Sequence, residues 1–370
     1  MMPDPIQSYL SDLLPPLQSF TRLPIENGDV LIHAPGFEDR TMDITETVAP
    51  APGVRALLLD FRPFNPKNRL EDVRQGLLRR GITVTEEDIV VYDRFMPGDF
   101  ENRLEKSLRA RQARRAVVDI STMSKLEIML VLNVCHRLGL FVRIVYSEAG
   151  VYGPSQQEFE QARLKNEIHR PTLQVFTGVH GVVRVNSLAS VAMQGQPTAA
   201  LVFMSLNDAL TQVLLNTVYP SRLFLINGRP PVHSWREDAT AWIHDQVRRE
   251  WWEDNPVQSG VAKGVPLPKR VVSTLDYRET VSLLLQLYWQ LSARHRVLLA
   301  PAGSKQQAVG SFLVKALHPD IHIEYPSPEG FLPYYSSAVG NRWLLDLGNV
   351  SELLVNISKS ERRQYLEIPT

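Results

Sequence analysis

The chain reads as two α/β domains, each a parallel sheet wrapped by helices, and three observations predict this. Short runs of Val, Ile, Leu and Ala without polar alternation recur between helix-period segments, as strands buried on both faces of a sheet require. At 370 residues the chain exceeds the size at which one core usually keeps growing, so two domains are expected. Two stretches also repeat one plan: AVVDISTMSKLEIMLVL at 116–132 and RVLLAPAGSKQQAVGSFL at 296–313 each pass from an apolar strand through a small polar loop to Ser-Lys and an apolar-periodic helix. Ser124-Lys125 and Ser304-Lys305 lie 180 residues apart, as do Gly150 and Gly330. The expected architecture is therefore two doubly wound Rossmann-like parallel-sheet domains arranged as a pseudo-two-fold internal repeat, with equivalent loops converging on one ligand between them.

The elements follow in order. Residues 1–28 are punctuated by proline and hold one short amphipathic stretch, Tyr9 to Leu14, which reads as an arm packed on the body because so short a helix is unstable alone. The first domain, 29–154, begins with the strand VLIHA and the loop PGFEDRT. RALLLDF then leads through RPFNPKNR into a helix to about Arg80, DIVVYD into a helix through Arg111, and AVVDIS into the Ser-Lys helix, before FVRIVYSE closes the domain. A polar, helix-compatible connector covers 155–170 and ends at Pro171. The second domain, 171–370, opens with LQVFTGV as strand and HGVVR as loop. AALVFMS and a helix through Asn216 follow, then RLFLING and a helix through Trp251 on which Trp242, Trp251 and Trp252 pack against the sheet. After a Gly/Pro-rich break from Asn255 to Pro268, read as a surface loop, come KRVVST, a long helix from Tyr277 to Ala293, VLLAPAGSK with its helix, IHIEY and WLLDL.

Composition narrows the function classes. Hydrophobic residues make up 44% and charged residues 22% of the chain, the balance of a globular protein. Lys+Arg and Asp+Glu both number 40, so no extended nucleic-acid groove is evident and any nucleotide partner is small and locally held. The single Cys135 excludes an internal disulfide framework and a cysteine zinc cluster, and fits a reducing compartment. No basic start with a long apolar run and no membrane-length apolar window is present, so the expected location is cytoplasmic, with no membrane partner. No motif calls for a cofactor.

Ligands in open parallel sheets bind beyond the carboxyl ends of the strands, which directs weight to the loops there. In Ala302-Gly303-Ser304-Lys305, Gly303 allows close backbone approach, Ser304 can cap the helix, and the first N–H groups with Lys305 can hold an anionic oxygen. The loop lacks the GxxxxGK[ST] pattern of P-loop hydrolases. Its counterpart offers Asp119, Ser121, Thr122, Ser124 and Lys125. Asp119 can orient a sugar or base, act as a general base, or cap its own loop. Arg40 follows Gly36 at an offset resembling that of Arg184 after Gly181 and is a candidate phosphate contact, unless Glu38 and Asp39 neutralise it. Ser147-Glu148-Ala-Gly150 and Ser327-Pro-Glu329-Gly330 are expected to follow the next strands, with Tyr152, Phe331, Tyr334 and Tyr335 either stacking on a base or forming core. The basic run Arg103 to Arg115, interleaved with Glu101 and Glu105, reads as a solvated face. His318 and His322 are separated by Pro319 and make no helical metal pair.

The loop APAGSKQQ within its strand and helix resembles the signature loop of CRISPR-associated Rossmann-fold (CARF) sensor domains, and the tandem arrangement is similar to SAVED proteins. The resemblance covers about two-thirds of the chain at the level of layout. Met123 departs from it, standing where the second copy has Gly303. It implies a nucleotide-binding regulatory protein of bacterial anti-phage defence, taking a cyclic oligonucleotide or similar messenger and signalling to a protein effector. The loops implied for binding hold Arg40, Ser124, Lys125, Gly303, Ser304 and Lys305. The residues leave two alternatives: an enzyme acting on a nucleotide, with Asp119 or Glu148 as base and Lys305 stabilising charge, or a structural subunit with a vestigial site.

Overall fold

The computed structural model describes residues 6–167, 173–254 and 270–366. Strands run in chain order as β1 (Gln18–Ser19), β2 (Leu23–Ile25), β3 (Asp29–His33), β4 (Val48–Pro50), β5 (Arg55–Arg62), β6 (Ile89–Asp93), β7 (Arg115–Asp119) and β8 (Phe141–Tyr152). They continue with β9 (Val179–Val183), β10 (Thr198–Phe203), β11 (Arg222–Arg229), β12 (Arg270–Ser273), β13 (Arg296–Ala300), β14 (His322–Ile323), β15 (Tyr325–Pro328) and β16 (Ser336–Asn349). The chain is mixed α/β with parallel-strand sheets and divides into two compact units. The first comprises Ser8–Tyr152 with Ser336–Thr370, the second Met1–Gln7 with Gly153–Tyr335.

In the first unit the strand order is β1-β16-β8-β7-β3-β5-β6, and β8 through β6 are mutually parallel. The apolar runs explain the position of each: Ala56, Leu57, Leu58 and Leu59 of β5, and Val117 and Val118 of β7, are fully buried, as strands covered on both faces must be. The helix Leu70–Arg79 supplies Val73 and Leu77 to the core that includes Leu31, Ile44 and Leu58. The second unit has the order β12-β11-β10-β13-β14, all parallel. Its core joins Ala200 and Val202 of β10 and Leu298 and Ala300 of β13 to Leu214, Leu215 and Val247.

The C-terminal segment departs from the sequence expectation. WLLDL does not extend the second sheet: it lies in β16, which pairs antiparallel with β8 from Ser336↔Tyr152 to Asn349↔Phe141. Antiparallel addition to the otherwise free edge of β8 satisfies that strand's outer backbone groups and buries Leu345 and Leu347. The helix Val350–Tyr365 then buries Val350, Leu353, Leu354 and Ile357 in the same unit. From Ser8 onward the N-terminal arm is likewise part of this unit: β1 pairs with β16, β2 pairs with β4, and Leu10 and Leu14 are buried.

Two further expectations change. HGVV is a strand, not a loop: β9 pairs antiparallel with β15, while 173–178 form no strand beyond the single bridge Phe176↔Phe331. The first strand of the second sheet is instead β10. Ser147 to Gly150 lie inside β8 and so form no loop after it, whereas Ser327 and Pro328 end β15 and Glu329 and Gly330 follow that strand. Helix Gln156–Leu164 occupies most of the connector and starts with a Ser155–Glu158 capping box. The end of the connector (168–170), Pro171, the break Asn255 to Pro268 and the side chains of Trp251 and Trp252 lie outside the described residues. Trp242 packs edge-on against Phe159. Among the described residues no helix is long and apolar enough to cross a membrane.

Candidate functional site

The first sheet places β3 beside β7, so the chain leaves β3 toward β5 on one side and returns to β7 on the other. Loops at such a reversal diverge and leave a crevice at the carboxyl ends of the strands. Here the two strands end on a matched pair, His33 opposite Asp119. His33 Nδ1 stands 2.9 Å from Asp119 Oδ2 with both side chains buried. Asp119 Oδ1 accepts from Ser121 N at 3.0 Å and from the Ser121 hydroxyl. That hydroxyl in turn accepts from Ser147 N at 2.8 Å, tying β7 to β8. Burial alone pushes the Asp119 carboxyl up, but His33 and the Ser121 hydrogen bonds outweigh it and hold the group below the usual carboxylate range. Asp119 caps its own loop and stays charged, which makes it a weak proton acceptor.

The segment after β3 builds the next layer. Thr41 Oγ1 accepts from Gly36 N at 2.9 Å and stands 3.4 Å from His33 Nε2. Gly36 is glycine for a steric reason, since a Cβ there would sit 3.1 Å from Thr122 Cβ. Thr122 donates to Ala34 O, which ties the loop after β7 to the one after β3. Arg40 is only 1% exposed and donates through Nε and Nη2 to Glu38 Oε2 at 2.9 and 2.6 Å, and through Nη1 to Ser147 O at 3.2 Å. Its guanidinium also lies 6.0 Å from the centroids of both Tyr146 and Tyr152. Glu38 additionally accepts from Ser336. Local neutralisation, the alternative open for Arg40 in the sequence, is the arrangement the fold adopts. Asp43 accepts from Ser147 Oγ at 2.7 Å and is clamped by Arg342 through Nε at 2.8 Å and Nη2 at 2.6 Å.

Lys125 stands apart from this pairing. It opens the helix Lys125–Arg137, whose N-cap Ser124 forms a capping box with Glu127 and touches Tyr92 Oη at 3.3 Å. Among the described residues its ammonium has no hydrogen bond and no ion pair, whereas Arg40 and Arg342 are both paired. Burial lowers its pKa to about 8, against an opposing pull from Glu38 and with a further push from Arg40. The capping box already satisfies the Glu127 N–H, so it is the half-buried Lys125 ammonium, without a partner among the described residues, that makes the helix start a place for an anion.

The second Ser-Lys loop closes the same capping box, with Gln307 in the place of Glu127. Gly303 leaves room for the Gln307 amide: a Cβ there would fall 2.0 Å from Gln307 Oε1 and 3.0 Å from Phe203 Cβ. Ser304 N donates to Gln307 Oε1 at 2.8 Å, Gln307 N donates to Ser304 Oγ at 3.1 Å, and the Ser304 hydroxyl donates to Thr274 O at 2.7 Å. Gln307 thus holds the capping position that Glu127 holds in the first loop, and Lys305 follows as the first helical residue. Arg184 follows β9 and pairs with Glu324, itself 2.9 Å from His322 Nε2, so its sequence analogy with Arg40 has no structural counterpart. Glu148 accepts from Trp343 Nε1 at 2.9 Å within the β8–β16 pairing. Phe331 and Tyr335 belong to an apolar cluster with Val175 and Phe176. The basic run is matched by carboxylates, as in Arg103–Asp99 and Arg109–Glu105.

The crevice thus joins Asp119, Ser121, Ser124, Lys125 and Arg40 of the predicted residues in one unit, while Gly303, Ser304 and Lys305 belong to the other. Sequence reasoning missed His33, Asp43 and Arg342. A histidine closing an apolar strand was the one available signal, and its meaning depends on a strand order the sequence does not spell out. Among the described residues no group of three or more metal-ligating side chains converges. The chain matches no protein-family model, and no curated protein matches it.

Proposed function

We propose that the chain is a nucleotide-binding regulatory protein of bacterial anti-phage defence, and that its first unit holds a phosphate of the ligand at the carboxyl edge of β3 and β7. Lys125 carries this reading: among the described residues it is the crevice cation left without a partner, and it is the first residue of its helix. The shared strand order of the two sheets supports reading the units as an internal repeat of one Rossmann-like domain. From β6 and β12 onward the strands correspond at an offset of 181 residues, as in Arg115 with Arg296 and Phe141 with His322. The copies have diverged within one loop plan: both close a capping box, through Glu127 in the first and Gln307 in the second, and the first keeps an unpaired lysine. Binding shifts the crevice segment 34–47 and alters what it presents to an effector. Because the Asp119 oxygens are committed to His33 and Ser121, the site favours binding over turnover.

The test is thermal unfolding and calorimetry with inorganic phosphate, mononucleotides, linear dinucleotides and cyclic di-, tri- and tetranucleotides. At least one nucleotide is expected to stabilise the chain, by about 2.7 kcal/mol at a hundredfold excess over Kd. Lys125→Ala is expected to weaken it roughly ten- to hundredfold, the loss of one charge-assisted contact of about 1.5–3 kcal/mol. Affinity should fall as pH rises through about 8, where Lys125 loses its proton. Absence of stabilisation by every nucleotide would overturn the reading.

A further inference from the structure

The second unit contains a cavity of about 160 Å³ near the carboxyl end of β10. Leu173, Phe176 and Ile243 give it apolar walls, and Gln174, Asn207 and Asp208 give it polar ones. Asp208 is 5% exposed. Its Oδ2 accepts from Gln212 Nε2 at 2.8 Å, whereas Oδ1 accepts no hydrogen bond among the described residues. Asp208 precedes the helix Ala209–Val218, but its side chain makes no capping bond to that helix. His244, which feels the Asp208 carboxylate, supplies no positive charge. The His244 ring donates from Nδ1 to Thr240 O at 3.1 Å, since a carbonyl can only accept, and so receives the Thr211 hydroxyl at Nε2, 3.0 Å away. Burial lowers its pKa to about 4, partly opposed by Asp208, and it is neutral near pH 7. Neither lysine nor arginine lines the cavity, and among the described residues none pairs with Asp208. A buried carboxylate without a counter-cation is costly, and a bound cation removes that cost.

We propose that this cavity binds a small organic cation, a primary ammonium on a compact apolar body, with Asp208 Oδ1 as its charge partner. The volume suits a body of about one six-membered ring, since a cavity of about 150 Å³ accommodates benzene. Phe176 and Ile243 receive the apolar part and Gln174 offers a neutral acceptor. This site is separate from the Lys125 crevice and of opposite charge preference, so either can stand without the other.

The experiment titrates the full chain with benzylamine and isobutylamine, using benzyl alcohol and isobutanol as neutral controls, by calorimetry and by amide chemical-shift mapping. The amines are expected to bind saturably at one site, at least tenfold tighter than the alcohols, with shifts concentrated at 173–178 and 206–209. Asp208→Asn keeps an acceptor for Gln212 and removes the charge, and should weaken amine binding at least tenfold. Equal binding of amines and alcohols, no amine binding, or shifts clustered elsewhere would each overturn the proposal. So would an unchanged affinity in Asp208→Asn. Should that variant fail to fold, the amine–alcohol comparison and the shift map on the unaltered chain decide it.

Discussion

Lys125 costs the folded protein stability, and the sign of that cost is testable. Its ordinary pKa of 10.5 falls to about 8 on folding because burial disfavours the ammonium. Between those values the unfolded chain binds more protons than the folded one, so stability rises with pH through the window from about 8 to 10.5. The slope is about 1.4 kcal/mol per pH unit and the total about 3 kcal/mol. Denaturant unfolding of the first unit should therefore show Lys125→Met more stable than the parent at pH 7, with the advantage shrinking toward pH 10. A difference independent of pH would mean that the lysine is solvated in the fold. At this scale the sequence was partly legible. Asp119 followed by Ser121 is a local pattern, and its loop-capping bond was readable from spacing alone. For Arg40 the sequence left neutralisation by nearby Glu38 open, whereas the Ser147 carbonyl that also receives its guanidinium, 107 residues distant, was not legible.

The helix starts were the most legible elements, because their chemistry is local. Ser124 with Glu127, Ser155 with Glu158 and Ser304 with Gln307 all form capping boxes three residues apart. Strand partners were less legible: HGVV became β9 through pairing with β15, about 140 residues later, which no local pattern encodes. Gly303 shows both levels at once. Its smallness suggested a phosphate loop, whereas the fold uses it to admit Gln307 Oε1. Gly303→Ala should cost about 1–3 kcal/mol, since the new Cβ displaces Gln307 or strains the loop. The cost should shrink in a Gln307→Ala background, where only the 3.0 Å approach to Phe203 Cβ remains. Strict additivity in that double-mutant cycle, read by chemical denaturation, would show that Gln307 is not what constrains the glycine.

At the scale of the molecule, the alternation of strands and helices announced two parallel sheets, and both have the predicted buried strands. The return of the chain to the first unit was hidden, because WLLDL is as compatible with a strand added to one sheet as to the other. What decides the matter is the open edge of β8, covered by β16 along register pairs from residue 141 to 152. This makes the C-terminal segment a structural part of a unit whose other strands end at Tyr152. Leu345, Leu347, Val350, Leu353, Leu354 and Ile357 are all buried there. At about 1.5–3 kcal/mol for each buried side chain, their removal takes roughly 10 kcal/mol, comparable with the 5–15 kcal/mol that holds a typical domain. Arg342 leaves with them, stranding Asp43 as a buried carboxylate without its cation. Truncation after Tyr335 should therefore unfold the first unit while leaving the second intact. Hydrogen exchange should show amides of β3, β7 and β8 losing protection, with those of β10, β11 and β13 retaining it. Nucleotide stabilisation should disappear with the first group and amine binding persist with the second. Retained protection in β7 and β8 would mean that the five parallel strands form a sufficient core without the returning segment.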